Sequence, residues 1–178
     1  VIVAQPVSAA SHLLVGSVVN ASGEKSFSRQ LVSDGVAELV GEELFKTGNY
    51  ILLERNPDAL LRIKQFAASR GSKVAVHLPD WDVVANVTIL KFKKSRQRSF
   101  LGPFSKASVK LLVEVQISLQ EVAGGEQSAR GKGTAKTESV GAFFQVREGK
   151  IHFDQTSVGL ATARAVKGAV AQLHEGDD

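Results

Sequence analysis

The 178 residues include no cysteine, which excludes disulfides and thiolate metal sites. That absence leaves the redox compartment open. No apolar run approaches the roughly eighteen residues that a transmembrane helix needs. Acidic residues are missing from one stretch: residues 91–110 carry seven cations and no Asp or Glu. The whole chain has a formal charge of +4, so subtracting those seven leaves −3 for the remainder. The basic character therefore belongs to one segment, and a local basic stripe points only weakly to an anionic partner. No methionine opens the chain. It starts VIVAQPVSAASHLL, which reads as the interior of a longer chain, with a signal peptide expected upstream.

What is present is ordinary for a soluble globular protein: 43% apolar and 22% charged residues. The length fits one domain able to bury a real core. We place that domain at residues 11–174, with 1–10 as an N-terminal extension and 175–178 as a frayed tail.

SHLLVGSVVN (Ser11–Asn20) reads as a buried strand that ends in the turn-forming NASGEKS. Leu31, Val32, Val36, Leu39, Val40, Leu44 and Phe45 then recur with helical period. Ser28 is the expected cap of that helix, and Gly48 stands where a left-handed stop is needed. NYILLER is the next strand. Asn56 caps a second helix with Pro57 at its first position, where a missing N–H costs nothing. Leu60, Ile63 and Ala67 are its expected inner face, and Gly71 its end.

WDVVANVTILKF is a third long strand, followed by a basic loop. In ASVKLLVEVQISLQEV, Val113, Val115, Ile117 and Leu119 alternate with polar residues, so one face is buried and one wet. AGGE makes a tight turn. A further strand sets Ala129, Gly131, Gly133 and Ala135 on one face and Arg130, Lys132 and Lys136 on the other. The small face implies a helix pressed close to the sheet. VGAFFQVREGKIHF is a loop or short hairpin. In the closing helix Asp154 is the expected cap, and Leu160, Ala161, Ala165, Ala169, Val170 and Leu173 form an apolar stripe. The expected fold is α/β (α+β): a mixed sheet of about five strands packed against three helices, in the order β-α-β-α-β-β-β-α.

Motifs for chemistry are also scarce. RGKGT comes nearest to a phosphate loop, but Lys132 is followed by Gly133 and the segment alternates like a strand. There is no G-x-G-x-x-G and no G-x-S-x-G elbow. His12, His77, His152 and His174 are scattered, without the spacing of a zinc site. Asp80 and Asp82 flank the only Trp. Paired carboxylates can do acid–base work when their environments differ, but with no third group beside them turn or capping duty is the expectation. No catalytic, cofactor-binding or metal-binding residue is assigned, and an enzyme is not expected.

Residues 91–106, KFKKSRQRSFLGPFSK, are the segment with functional character. Aromatic side chains interleaved with cations are what a single-strand nucleic-acid binder uses for stacking and neutralisation. Here Phe100, Leu101 and Phe104 cluster at one end as an apolar plug, and no nucleic-acid fingerprint accompanies them. Nucleic acid is therefore the less favoured partner, and a polyanion- or nucleic-acid-binding module is the alternative reading.

Four stretches, taken in order, resemble the curli secretion channel family (CsgG/HfaB-like). LLERNPDALLRIKQ looks like its strand-to-helix junction, and DVVANVTILKF like its next strand. VEVQISLQEVAGGEQSARGKGTAKT resembles its hairpin, and FDQTSVGLATARAVKGAVAQL its closing helix. The resemblance covers about residues 13–173. It implies a periplasmic α/β domain tethered to the outer membrane by a lipidated N-terminal Cys, a residue this sequence does not contain. It also implies homo-oligomeric rings, with envelope proteins or exported cargo as partners. The curli channel itself builds a transmembrane barrel from two hairpins per subunit.

The corresponding hairpin positions here are residues 90–113 and 127–153. A membrane strand needs about 9–11 residues with one continuously apolar face. Lys91 and Lys93 fall on one parity, while Lys94, Arg96 and Arg98 fall on the other. Each cation on a lipid face near midplane costs about 2–4 kcal/mol, so the first hairpin is expected to stay outside the bilayer core. The second has Val140, Ala142, Phe144 and Val146 on one parity but is short and Gly-rich. The residues expected to meet a partner or a membrane surface are Lys91, Lys93, Lys94, Arg96, Arg98, Phe100, Leu101, Phe104, Phe143 and Phe144.

Overall fold

A single strand, β1 (Ser11–Asn20), organises the first half of the chain. It lies between β2 (Tyr50–Leu52) and β3 (Val83–Leu101) and runs parallel to both. β4 (Phe104–Glu121) and β5 (Glu126–Thr137) follow as antiparallel neighbours, giving a five-stranded sheet in the order β2-β1-β3-β4-β5. The computed structural model describes residues 9–69, 79–101, 104–137, 145–147, 150–152 and 156–175. Among these, β6 (Gln145–Arg147) and β7 (Lys150–His152) pair as a short hairpin. With helices α1 (Gln30–Lys46), α2 (Pro57–Ser69) and α3 (Ser157–His174), the fold is the expected α+β arrangement.

Alternating residues of the central strands separate two cores. Leu13, Val83, Ala85, Val87 and Ile89 pack with α1 and α3, while Leu14 and Val84 pack with Ala59 of α2 and with Trp81. Successive strand residues point to opposite faces, so α1 and α3 share one face and α2 takes the other. Val113, Val115, Ile117 and Leu119 are all buried on the α3 side, as their alternation implied.

The small face of β5 does what its composition predicted. A Cβ placed on Gly131 would run into the Ala165 carbonyl of α3, and one on Gly133 into the Ala161 carbonyl. The helix backbone lies directly on the strand, and Ala161, Ala165 and Ala169 are buried there. Only glycine permits this approach.

Helix boundaries differ in detail from expectation. Arg29, not Ser28, occupies the α1 cap position. Ser28 closes a short 3-10 turn (Lys25–Ser28), and its Oγ accepts from Asn20 Nδ2 at 2.9 Å. Asn56 does cap α2, accepting from the Ala59 N–H at 2.8 Å. The inner face of α2 is Ala59, Ile63 and Phe66: Ile63 is as expected, while Ala59 and Phe66 take the places of Leu60 and Ala67, packed against Leu14, Val84 and Trp81. Gly48 has φ +78° after α1, as expected. α3 is capped by Thr156, whose Oγ1 accepts from the Gly159 N–H at 2.9 Å; Gly71 and Asp154 lie outside the described residues. Leu31, Phe45 and Leu160, assigned to apolar stripes, are exposed. Each stands at the margin of a helical stripe, where the sheet no longer covers it.

The largest correction concerns the basic segment, which is not a loop. The β3–β4 ladder continues through Lys94↔Leu111 and Arg96↔Val109 to Leu101↔Phe104. β1 stops at Asn20, opposite Ile89, and β5 stops at Thr137, opposite Val109. Beyond Arg96, β3 and β4 therefore face only each other among the described residues. At about 3.4 Å per residue, the arm reaches roughly 40 Å past the end of β1. A strand solvated on both faces has no hydrophobic period to announce it.

Candidate functional site

The arm and the sheet face at its base bring the cations together. Lys91 lies opposite Glu114, which lies opposite Lys132. Lys93 is followed across the sheet by Leu112 and Thr134, and Ser95 by Lys110 and Lys136. Directly opposed residues share a face. Lys91, Lys93, Lys110, Lys132 and Lys136 thus form one plate on the side away from α3, with Glu114 among them. Arg130 extends it downward and donates from Nε to Gln116 Oε1 at 3.1 Å.

The opposite face of the arm carries Lys94 and Arg96, both exposed. Lys94 Nζ stands 5.6 Å from the centre of the Phe92 ring, and Phe92 in turn meets Phe27 edge-on at 5.5 Å. The arm is thereby anchored to the core by an aromatic pair at its root, worth on the order of 1 kcal/mol beyond burial. A one-residue shift of register between Ile89 and Lys91 marks the same place. Bulges bend a strand and raise its twist, so the arm leaves the body at a re-aimed angle.

Of the residues singled out from sequence, Lys91, Lys93, Lys94 and Arg96 are exposed on the ladder. Arg98, Phe100, Leu101 and Phe104 occupy its outer pairs. Phe143 and Phe144 lie outside the described residues. The sequence reading missed Lys110, Lys132 and Lys136 as members of the same surface. Register across three strands joins them to Lys91 and Lys93, and no local pattern in the sequence carries that information.

Electrostatics at the plate are unfavourable by themselves. Lys110 directly opposite Lys136 is a like-charge cross-strand pair, which costs stability. An anionic surface laid against the plate relieves that repulsion. Such a face attracts carboxylates, phosphates or sulfates as a group.

Elsewhere the polar residues are occupied structurally. Asp82 Oδ2 accepts from the His12 backbone N–H at 2.7 Å and lies 3.3 Å from His12 Nδ1. Asp80 pairs with Arg62 at 3.1 Å, and the Arg62 guanidinium stands 5.5 Å from the centre of the Trp81 ring. These two carboxylates fasten strand and helix ends together. His174 Nδ1 lies 2.9 Å from the Val170 carbonyl oxygen. Among the described residues no cluster of His, Asp and Glu could hold a metal ion, and no helix is long and apolar enough to cross a membrane.

One cleft stands apart from the arm. It has a volume of about 770 Å³ and lies between α1, β2 and the start of α2. Its floor is apolar, with Val15, Leu52, Leu53 and Leu60, and its α1 wall carries Asp34, Glu38 and Glu42.

No protein-family model matches the sequence, and no curated protein matches it. Solved structures are similar at low identity. A PelC dodecamer from Paraburkholderia phytofirmans is 10% identical over 92% of this chain and 89% of that one, with a TM-score of 0.46. The hypothetical protein CT253 from Chlamydia trachomatis is 16% identical, with 92% and 95% covered and a TM-score of 0.45. Lipoprotein GNA1162 from Neisseria meningitidis is 11% identical, with 74% and 88% covered and a TM-score of 0.41. Likeness of this degree transfers neither ligand nor activity.

Proposed function

We propose that this chain is a non-enzymatic subunit of the bacterial cell envelope, akin to the curli secretion channel family. It works by assembling with copies of itself and by meeting a partner surface with its arm and cationic plate. In this reading it sits in the periplasm, associated with the outer membrane through an anchor upstream of Val1, and serves secretion or assembly of surface material.

The observation that carries the reading is the arm. A β-hairpin that outruns its own sheet contributes little to the core beneath it, yet its pairing runs on to Leu101↔Phe104. Cations on both of its faces disfavour a lipid-facing wall, because each would cost about 2–4 kcal/mol near midplane. The arm therefore works at an interface, outside the bilayer core.

Light scattering across a concentration series tests the assembly. The expected result is a mass that rises from one chain to a defined multiple. A single-chain mass at every concentration overturns the reading.

The like-charge pair Lys110–Lys136 favours a second reading, a polyanion-binding module. Retention on DNA or heparin that falls steeply with salt, without binding to anionic vesicles, would select it.

A further inference from the structure

The α1 wall of the 770 Å³ cleft is a charged row. Gln30, Asp34, Glu38 and Glu42 recur every fourth residue, which places them along one helix face. Asp34 is satisfied: Arg55 Nη1 donates to its Oδ1 at 2.9 Å, and Gln30 Nε2 at 2.8 Å. No salt bridge among the described residues engages Glu38 or Glu42. Below them the floor is apolar, with Leu52 38% exposed. Beside the floor runs β2, whose outer edge has no strand neighbour among the described residues. An apolar trough with an acidic wall and an open strand edge fits an extended segment that is cationic and ends in apolar side chains.

The chain carries such a segment. One face of the arm holds Lys94, Arg96 and Arg98 at alternate positions with no acid, and Phe100, Leu101 and Phe104 occupy its last pairs. We infer that the arm of one copy docks in the α1–β2–α2 cleft of a second copy, its cations against Glu38 and Glu42. Arm and cleft are different patches, so the contact is heterologous and propagates head to tail into a ring or a filament. This inference rests on the assembly reading above and specifies its interface.

Charge reversal tests it. Glu38→Lys with Glu42→Lys makes the cleft wall cationic. Lys94→Glu with Arg96→Glu and Arg98→Glu makes that face of the arm anionic. Each variant alone opposes like charges at every contact, and its assembly should weaken by roughly tenfold or more. An equimolar mixture pairs each cleft with an arm of opposite charge, so assembly should return to within a few-fold of the unaltered chain.

Variants that assemble like the unaltered chain, or a mixture that stays dissociated, overturn the contact. So does an arm variant that releases anionic vesicles while its assembly is intact, because the arm then belongs to the lipid surface. Carbodiimide cross-linking of the unaltered chain gives a second readout that does not depend on variant folding. Links between Glu38 or Glu42 and Lys94 should join separate copies, distinguished by isotope label, and their absence from an assembled sample counts against the contact. If the unaltered chain never assembles, the broader reading falls with it. If it assembles and ignores the reversals, only this contact falls.

Discussion

Lys110 of β4 stands directly across from Lys136 of β5, cation to cation, one pair in from the arm-side end of an otherwise regular ladder. Exposed like-charge pairs of this kind destabilise by about 0.2–1 kcal/mol relative to neutral pairs. Lys136→Glu should therefore raise the melting temperature by about 1–4 °C for a chain of this size. The same change should weaken retention on anionic vesicles or heparin. A gain in stability together with a loss of binding would mark the pair as functional. A gain with unchanged binding would show the plate to be idle.

The contact between β5 and α3 predicts sharp intolerance at two small residues. Gly133→Ala puts a methyl group into the Ala161 carbonyl, and Gly131→Ala puts one into that of Ala165. Either change should destabilise by about 1–3 kcal/mol or more, since the obstruction is backbone and cannot rotate aside. Thr134→Ala, exposed on the other face of the same strand, should fall within about 0.5 kcal/mol of the unaltered chain. Thermal melts of the three variants decide the matter.

A second point of local dependence is the irregularity of β1 between Val15 and Val18. Asn86 Oδ1 accepts from both the backbone N–H and the Oγ of Ser17, each at 3.1 Å. From the flank, Arg55 Nε and Nη2 both donate to the Gly16 carbonyl at 3.3 Å. Asn86→Ala should cost about 1–2 kcal/mol, and Asn86→Asp, which keeps the acceptor oxygens, should recover part of it. Denaturant titration compares the two. Equal losses would show that the acceptor is not what holds the irregularity.

Removing the arm should spare the body. Residues 97–108 can be replaced by Asn-Gly, the preferred two-residue hairpin turn, across the Arg96↔Val109 pair. The core ends at Leu111 on β4, so the shortened chain should melt within a few degrees of the full one. Its light scattering should stay at one chain under conditions where the full protein assembles. Persistent assembly would move the interface from the arm to the body.

Much of the body was legible because its residues carry period. Val113 to Leu119 alternate, Val32 to Leu44 recur at helical spacing, and Gly131 and Gly133 advertise a close helix. The arm was not legible as a strand. Lys93 to Arg96 are exposed on both faces, so burial leaves no trace in them, and charge there looks the same in a loop and in a strand. The resemblance to a hairpin at 90–113 pointed to its place, and the parity of its cations was already readable. The plate was hidden for a different reason. Lys110 and Lys136 lie far apart in the chain, and only the register of β4 on β5 makes them neighbours. Caps were half legible: Asn56 stood before Pro57, while Thr156 was overlooked in favour of Asp154, two residues earlier.

Because α3 follows β5 in the chain yet lies on its glycines, the ribosome delivers the lid of the main core only after all five strands of the sheet have been made. Until then β4 and β5 present a bare apolar surface, and a nascent chain in that condition needs either speed or a chaperone to avoid sticking to its neighbours. A stop codon anywhere before Thr156 would therefore yield an aggregate rather than a smaller working body.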